Sequence, residues 1–260
     1  MVVVIDVGNT NTMLGVLEGD EVRFTWRLTT GPRTTDELGG LWLQLLDHAQ
    51  IDLEDIDGAI CSSVVPSQVY TVQKACLRYL SVECMVVGRG LKTGMPIRTD
   101  NPREVGADRI VNAVAAIAAG GGPAIVVDFG TATTFDCIDA SNAYVGGVIA
   151  PGLRISEEAL FDRTAQLPRV ELQAPPTIIG RNTVHAVQSG LLYGYAGLVD
   201  AIVGRIRTEL PDARVVATGG YANLIATVSE AIDAVDGHLT LRGLALLYQK
   251  NRPTKSERRP

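Results

Sequence analysis

VVVIDVGNTNT, residues Val2–Thr12, and AIVVDFGTATT, residues Ala124–Thr134, are two copies of one pattern. Each runs four apolar residues into an Asp and then into a cluster of small polar groups. The apolar run reads as a buried strand. The cluster reads as a hairpin turn, but a plain turn needs only one Gly or Asn at its tip. Asp6 aligns with Asp128, Gly8 with Gly130, Asn9 with Thr131, Asn11 with Thr133 and Thr12 with Thr134, at a constant offset of 122 positions. That offset is close to half of the 260-residue chain, so the repeat predicts two similar domains.

The chemistry of each copy is that of a phosphate clasp. Glycine lets backbone N–H groups approach an anion closely. Asn amides and Thr hydroxyls add donors. A carboxylate at the strand end would repel phosphate unless a cation lies between them, and Mg²⁺ commonly reaches a protein through one or two carboxylates plus phosphates. Two such hairpins facing each other would hold one polyphosphate across a cleft. A third element, RVVATGGYANLI at residues 214–225, is a short strand, then Thr218-Gly219-Gly220, then a helix. After two phosphate hairpins it reads as an adenosine site.

Outward from these hairpins the chain alternates strands and helices. Met13–Leu17 and Glu21–Leu28 read as strands, and residues 34–50 as a helix with Thr34 and Glu37 as a capping box. GAICSSVV is a strand stopped by Pro66, residues 67–80 a helix, ECMVVG a strand, and residues 102–122 a helix with Pro102 near its start. After the second hairpin come a strand at 142–152 and helices at about 153–165, 182–209, 220–229 and 240–250. The mixture predicts α/β layers.

Bulk properties narrow the function. The net charge is −6, no long Lys/Arg run exists and no helix-turn-helix signature appears, so neither nucleic acid nor an anionic membrane is an expected partner. Met1 leads straight into a strand carrying an Asp, so no leader is expected, and no apolar run approaches the roughly 20 residues of a membrane span. Cys61, Cys76, Cys84 and Cys137 form no CxxC pair and read as buried reduced thiols of a cytoplasmic protein. His48 reads as solvated and His238 as a loop residue, whereas His185 follows GRNT and its role is left open.

The three elements in this order resemble the acetate and sugar kinase, heat-shock ATPase and actin superfamily. Within it, DVGNTNT, TTDELG, NPREVGADRIVNA, DFGTATT, GGVIAPG, GRNT and ATGG resemble the type III pantothenate kinases, over nearly the whole chain. The resemblance implies an α/β fold of two duplicated actin-like (ribonuclease H-like) domains, residues 1–115 and 116–250, with a nucleotide cleft between them and a flexible tail at 251–260. It implies ATP-dependent phosphorylation of pantothenate to 4'-phosphopantothenate, the first step of coenzyme A synthesis, with ATP, Mg²⁺ and a monovalent cation, K⁺ or NH₄⁺.

Residue by residue, it gives Asp6, Val7, Gly8, Asn9, Thr10, Asn11, Thr12 and Met13 to the first phosphate loop, with Asp6 near Mg²⁺. It gives Thr131, and Gly219 and Gly220 of the adenosine loop, to ATP. Asp128 would ligate the monovalent cation. Gly106, Ala107, Asp108, Arg109 and Thr183 would contact pantothenate, with Asp108 as proton acceptor. Many relatives carry Tyr nine residues before the Asp of GADR, where this chain has Thr99. The resemblance also implies a homodimer with pantothenate bound where subunits meet.

Read by itself, Asp108 sits in an Asp-Arg pair at the start of an apolar helix. Phosphoryl transfer needs a group to accept the hydroxyl proton, although positioning contributes most. Arg109 could hold a substrate carboxylate with a bidentate fork, or orient Asp108. A runner-up reading is a non-catalytic regulatory accessory factor of the same fold. A third, an actin-like filament protein, leaves GADR unexplained.

Overall fold

A computed structural model describes residues 1–164 and 167–252. The described residues divide into two compact units: Met1–Pro96 with Asp100–Ala115 and residues 238–252, and Ile97–Thr99 with residues 116–164 and 167–237.

The first unit is built on a five-stranded sheet in the order β3-β2-β1-β4-β5. Its strands are β1 (Val2–Val7), β2 (Asn11–Glu18), β3 (Glu21–Thr29), β4 (Gly58–Ser63) and β5 (Cys84–Val86). The first three form an antiparallel meander, and β4 and β5 add in parallel beside β1. Strand β1 is covered on both faces, which is why its sequence is an unbroken apolar run rather than an alternation. Val3, Ile5 and Val7 pack with Trp42 and Leu46 of α1 (Thr35–His48) and Val72 and Cys76 of α2 (Pro66–Tyr79). Val2 and Val4, on the other face, pack with Val111 of α3 (Ala107–Gly120) and Leu244 and Leu247 of α7 (Leu239–Asn251).

The second unit repeats the plan. Its sheet runs β10-β9-β6-β7-β8, the same order counted from the hairpin. The strands are β6 (Ala124–Phe129), β7 (Ala132–Ile138), β8 (Tyr144–Pro151), β9 (Arg214–Gly219) and β10 (Ala234–Val235). Ile125, Val127 and Phe129 pack against Leu191, Leu192, Tyr195, Val199 and Val203 of α5 (Thr183–Glu209). The helices α4 (Leu153–Arg163) and α6 (Ala222–Ala226) complete the unit. Two sheets of one order, each opened by an antiparallel hairpin whose first strand takes a parallel neighbour, are the duplicated actin-like arrangement.

Four details differ from the sequence expectation. The last helix, assigned with residues 116–250, packs on the first sheet instead: Leu241, Leu244 and Leu247 cover Val2, Val4 and Ile60. A sheet apolar on both faces needs this second cover, and α7 supplies it together with α3. Helix α3 begins at Ala107 rather than near Pro102, because Val105 is extended (ψ 120°) and separates a short 3₁₀ turn, Pro102–Glu104, from the helix. The helix expected at 220–229 shortens to Ala222–Ala226.

The fourth concerns the hairpins. Val7 faces Thr12, but Phe129 faces Thr133, so the second tip is one residue shorter. Thr133 therefore matches Thr12, and Thr134 matches Met13, instead of the constant-offset pairing. Residue 165 of the expected helix at 153–165, and the expected tail beyond Arg252, lie outside the described residues.

Candidate active site

In the first unit Asp6 sits one residue before the end of β1, between Met13 on β2 and Ser62 on β4. Strand alternation puts it on the Val2/Val4 face, toward α3. The fully buried Ser62 hydroxyl donates to the Asp6 carboxylate. Burial pushes Asp6 up to about 6; the Ser62 bond pulls the other way, and the negative charge of Asp108 adds to the rise. Asp6 and Asp108 are thus near enough to sense each other. Gly8 N–H bonds the Asn11 carbonyl at 3.0 Å across the tip. A Cβ on Gly8 would lie 2.9 Å from that same oxygen, so the tip tolerates no bulk there. Thr12 is buried and its hydroxyl meets that of Thr30 at 2.8 Å, while Thr30 N–H bonds the Thr10 carbonyl at 2.9 Å. The hairpin is therefore tied down beyond its own strands.

Asp108 is the second residue of α3, and its carboxylate accepts the Arg109 N–H at 2.9 Å. A Cβ on Gly106 would stand 2.5 Å from Asp108 Oδ1, which explains a glycine directly before the helix. Helix α3 is held in place one turn later: buried Asn112 accepts the Thr240 hydroxyl at 2.7 Å, and α7 approaches so closely that a Cβ on Gly243 would lie 2.3 Å from the Val111 carbonyl. Ser62, Asn112 and Thr240 escaped the sequence reading. A serine ending an apolar strand, in GAICSS, was the available signal for the first.

In the second unit Asp128 lies on β6 between Thr134 and Thr218. The TGG turn lies directly on it: Gly219 has φ +91°, and a Cβ there would be 2.6 Å from Asp128 Oδ1 and 2.7 Å from the Phe129 backbone. Gly220 N–H bonds the Phe129 carbonyl at 3.2 Å. GGVIAPG ends against the hairpin, since a Cβ on Gly152 would fall 2.0 Å from the Thr131 carbonyl oxygen. The Tyr195 hydroxyl, also in contact with Ser156, bonds the Pro151 and Gly152 carbonyls, each at 3.0 Å. Thr131 is exposed at the tip. Thr183 opens α5 with its side chain exposed, behind the cap made by Asn182, which accepts the His185 N–H at 2.8 Å. The hydroxyls of Thr133 and Thr99 are buried and find no partner among the described residues.

The structure brings Asp6 to Met13 together with Gly106 to Arg109 in one unit, and Asp128, Thr131, Gly219 and Gly220 together in the other. Among the described residues no group of three or more His, Cys, Asp or Glu side chains forms a metal cage. A single carboxylate beside a tight glycine turn suits instead a Mg²⁺ that arrives with phosphates. A family model of type III pantothenate kinases matches residues 2–205.

The chain belongs to that family. Type III pantothenate kinases of an Exiguobacterium species and of Geobacillus kaustophilus are each 53% identical to it, over 96% and 98% of this chain and 99% and 100% of their own length. Among solved structures, a protein described as a candidate Baf family transcriptional activator from Campylobacter jejuni superposes with a TM-score of 0.57 at 18% identity, covering 96% of this chain and 98% of its own. At that identity the likeness carries the fold alone.

Proposed function

We propose that this chain transfers the γ-phosphoryl group of ATP to the primary hydroxyl of pantothenate, giving 4'-phosphopantothenate. The observation that carries the reading is the placement of Asp6 at the end of β1, on the sheet face that α3 covers, with Asp108 in the first turn of that helix. Phosphoryl transfer asks for these two things: a carboxylate for the metal that accompanies the phosphates, and an acceptor for the hydroxyl proton. Asp108 takes that proton on a carboxylate oxygen. Asn9 and Thr10 in the first unit and Thr131 in the second offer donors to the phosphates, and Gly219 with Gly220 leaves a flat backbone surface for the ribose. Arg109, half-buried next to Asp108, suits the pantothenate carboxylate. ADP release that depends on added pantothenate tests the reading; equal release without pantothenate would reject it. The regulatory reading rests on fold likeness alone.

Asp128 takes a monovalent cation in this proposal. Its carboxylate stands at the second hairpin, where one Mg²⁺ has no need of a second identical clasp. The rate is expected to rise with K⁺ or NH₄⁺ and to stay low in Na⁺ alone; equal rates in the three salts at matched ionic strength would remove this role.

The working form is a homodimer. Helix α5, 27 residues long, is long and apolar enough to cross a membrane by length and composition, yet Leu191, Leu192, Val199 and Val203 are spent on the core. Its exposed face is a row of small residues, Gly190, Gly194, Gly197, Ala201 and Gly204, with open space over the glycines among the described residues. Exposed Ile178, Ile179 and Val184 lie in or just before its first turn. A face this flat and apolar suits close approach of a second copy, with Thr183 of one chain serving the Asp108 site of the other. The four buried free cysteines, among them Cys61 whose thiol burial pushes well up, fit a reducing cytoplasm.

A further inference from the structure

Tyr195 of α5 is 8% exposed and belongs to the apolar core of the second unit with Leu153, Leu191 and Val199. That core needs only a ring there. A hydroxyl buried among apolar side chains costs free energy unless it is bonded, so the Tyr195 hydroxyl calls for its own account. It donates to the Pro151 and Gly152 carbonyls, 3.0 Å from each, one proton shared between two acceptors. Its oxygen also meets the Ser156 hydroxyl, which in turn lies 3.1 Å from the Gly152 carbonyl. Two side chains thus converge on the junction between β8 and α4.

Gly152 is the N-cap of α4 and has no side chain with which to fix its own place. It lies flush on the second hairpin, since a Cβ there would fall 2.0 Å from the Thr131 carbonyl oxygen and 2.8 Å from that of Gly130. Backbone packed against backbone passes on any shift, because neither side can turn away. The second hairpin also depends on this support more than the first does. Thr12 ties the first hairpin down through the Thr30 hydroxyl. Thr133, its register match, is fully buried and its hydroxyl makes no such bond among the described residues.

We propose that Tyr195 is a positioning residue for the phosphoryl donor. Its hydroxyl holds Gly152, and Gly152 sets the place of the second hairpin tip, where Thr131 meets the phosphates. The proposal rests on the kinase reading above and adds to it a core residue that acts through Gly152 without touching either substrate.

Tyr195→Phe keeps the ring and removes only the hydroxyl. Calorimetry on the whole protein uses ADP and inorganic tripolyphosphate, a probe with phosphates and no nucleoside. Both are expected to bind about three- to tenfold more weakly, the scale of one hydrogen bond. The ATP KM should rise by a similar factor, while the pantothenate KM and kcat at saturating ATP stay within about twofold of the parent, the pattern of lost uniform binding. Should Tyr195→Phe fail to fold, Ser156→Ala removes a hydroxyl from the same cluster and carries the same measurements, with an expected loss of about twofold or more. Unchanged binding of both probes in a folded variant, or a rise in both KM values together, would overturn the positioning role. Wild-type protein that releases no ADP with pantothenate would instead overturn the kinase reading, and probe binding would still decide the role of Tyr195, so the two failures are distinct.

Discussion

The Ser62 hydroxyl on β4 donates to the Asp6 carboxylate on β1, its register partner in the parallel pair. One bond does not offset the burial of that charge, and Asp6 remains raised to about 6 from 3.8. Asp6→Asn should therefore stabilise the nucleotide- and metal-free protein. Between the two values the folded state holds a proton that the unfolded state has released, so stability falls as pH rises through that window. At pH 7.5 removing the charge should gain on the order of 1–2 kcal/mol, and the gain should fade as pH falls through 6 toward 4. Thermal melts of both proteins across pH 4–8 check this. A melting temperature for Asp6→Asn below the parent's at pH 7.5 would refute it. The variant should be nearly inactive.

Asp108→Asn should fold and bind nucleotide while losing about 10²–10⁴ in kcat, the usual scale for a lost general base. Asparagine keeps the acceptor oxygen for the Arg109 N–H, so the helix start has no reason to fray. Near-parental turnover in the folded variant would take Asp108 out of the chemistry.

Gly152→Ala tests whether the start of α4 positions the second hairpin. The new methyl would meet the Thr131 and Gly130 carbonyl oxygens at 2.0 and 2.8 Å, both backbone atoms that cannot swing aside. The expected result is an ATP KM raised severalfold or more and a stability loss of about 1–3 kcal/mol. Gly40→Ala, in α1 with open space around it among the described residues, should instead gain up to about 1 kcal/mol with unchanged kinetics. Identical behaviour of the two would show that the hairpin does not feel α4.

Much of this was legible because β1 and β6 are buried on both faces, so their apolar runs stand out and the polar clusters that end them align. Gly106 and Asp108 were legible through GADR. The one-residue difference between hairpins was not, since matching Thr-Thr letters conceal which threonine faces Phe129. The return of α7 to the first sheet was hidden because sequence order says nothing about which uncovered face a helix will take. Ser62, Asn112 and Thr240 are common polar residues whose roles exist only once β4, α3 and α7 are packed.

The dimer has the sharpest test. Thr183 opens α5, whose outward face is the small-residue row, whereas Asp108 is fixed in the first unit by α3 and α7. If a second copy packs on α5, Thr183 and Asp108 of different chains serve one site. Asp108→Asn and Thr183→Arg are prepared separately, each shown to be inactive, then unfolded and refolded together. Sites shared between chains give each mixed dimer one site with both defects and one with neither, so activity returns toward a quarter of the parental level when chains mix at random. Sites built within one chain leave every site with a defect, and the mixture stays inactive. An inactive mixture, with mixed dimers demonstrated by native mass spectrometry, would end the shared-site proposal while leaving the kinase assignment in place.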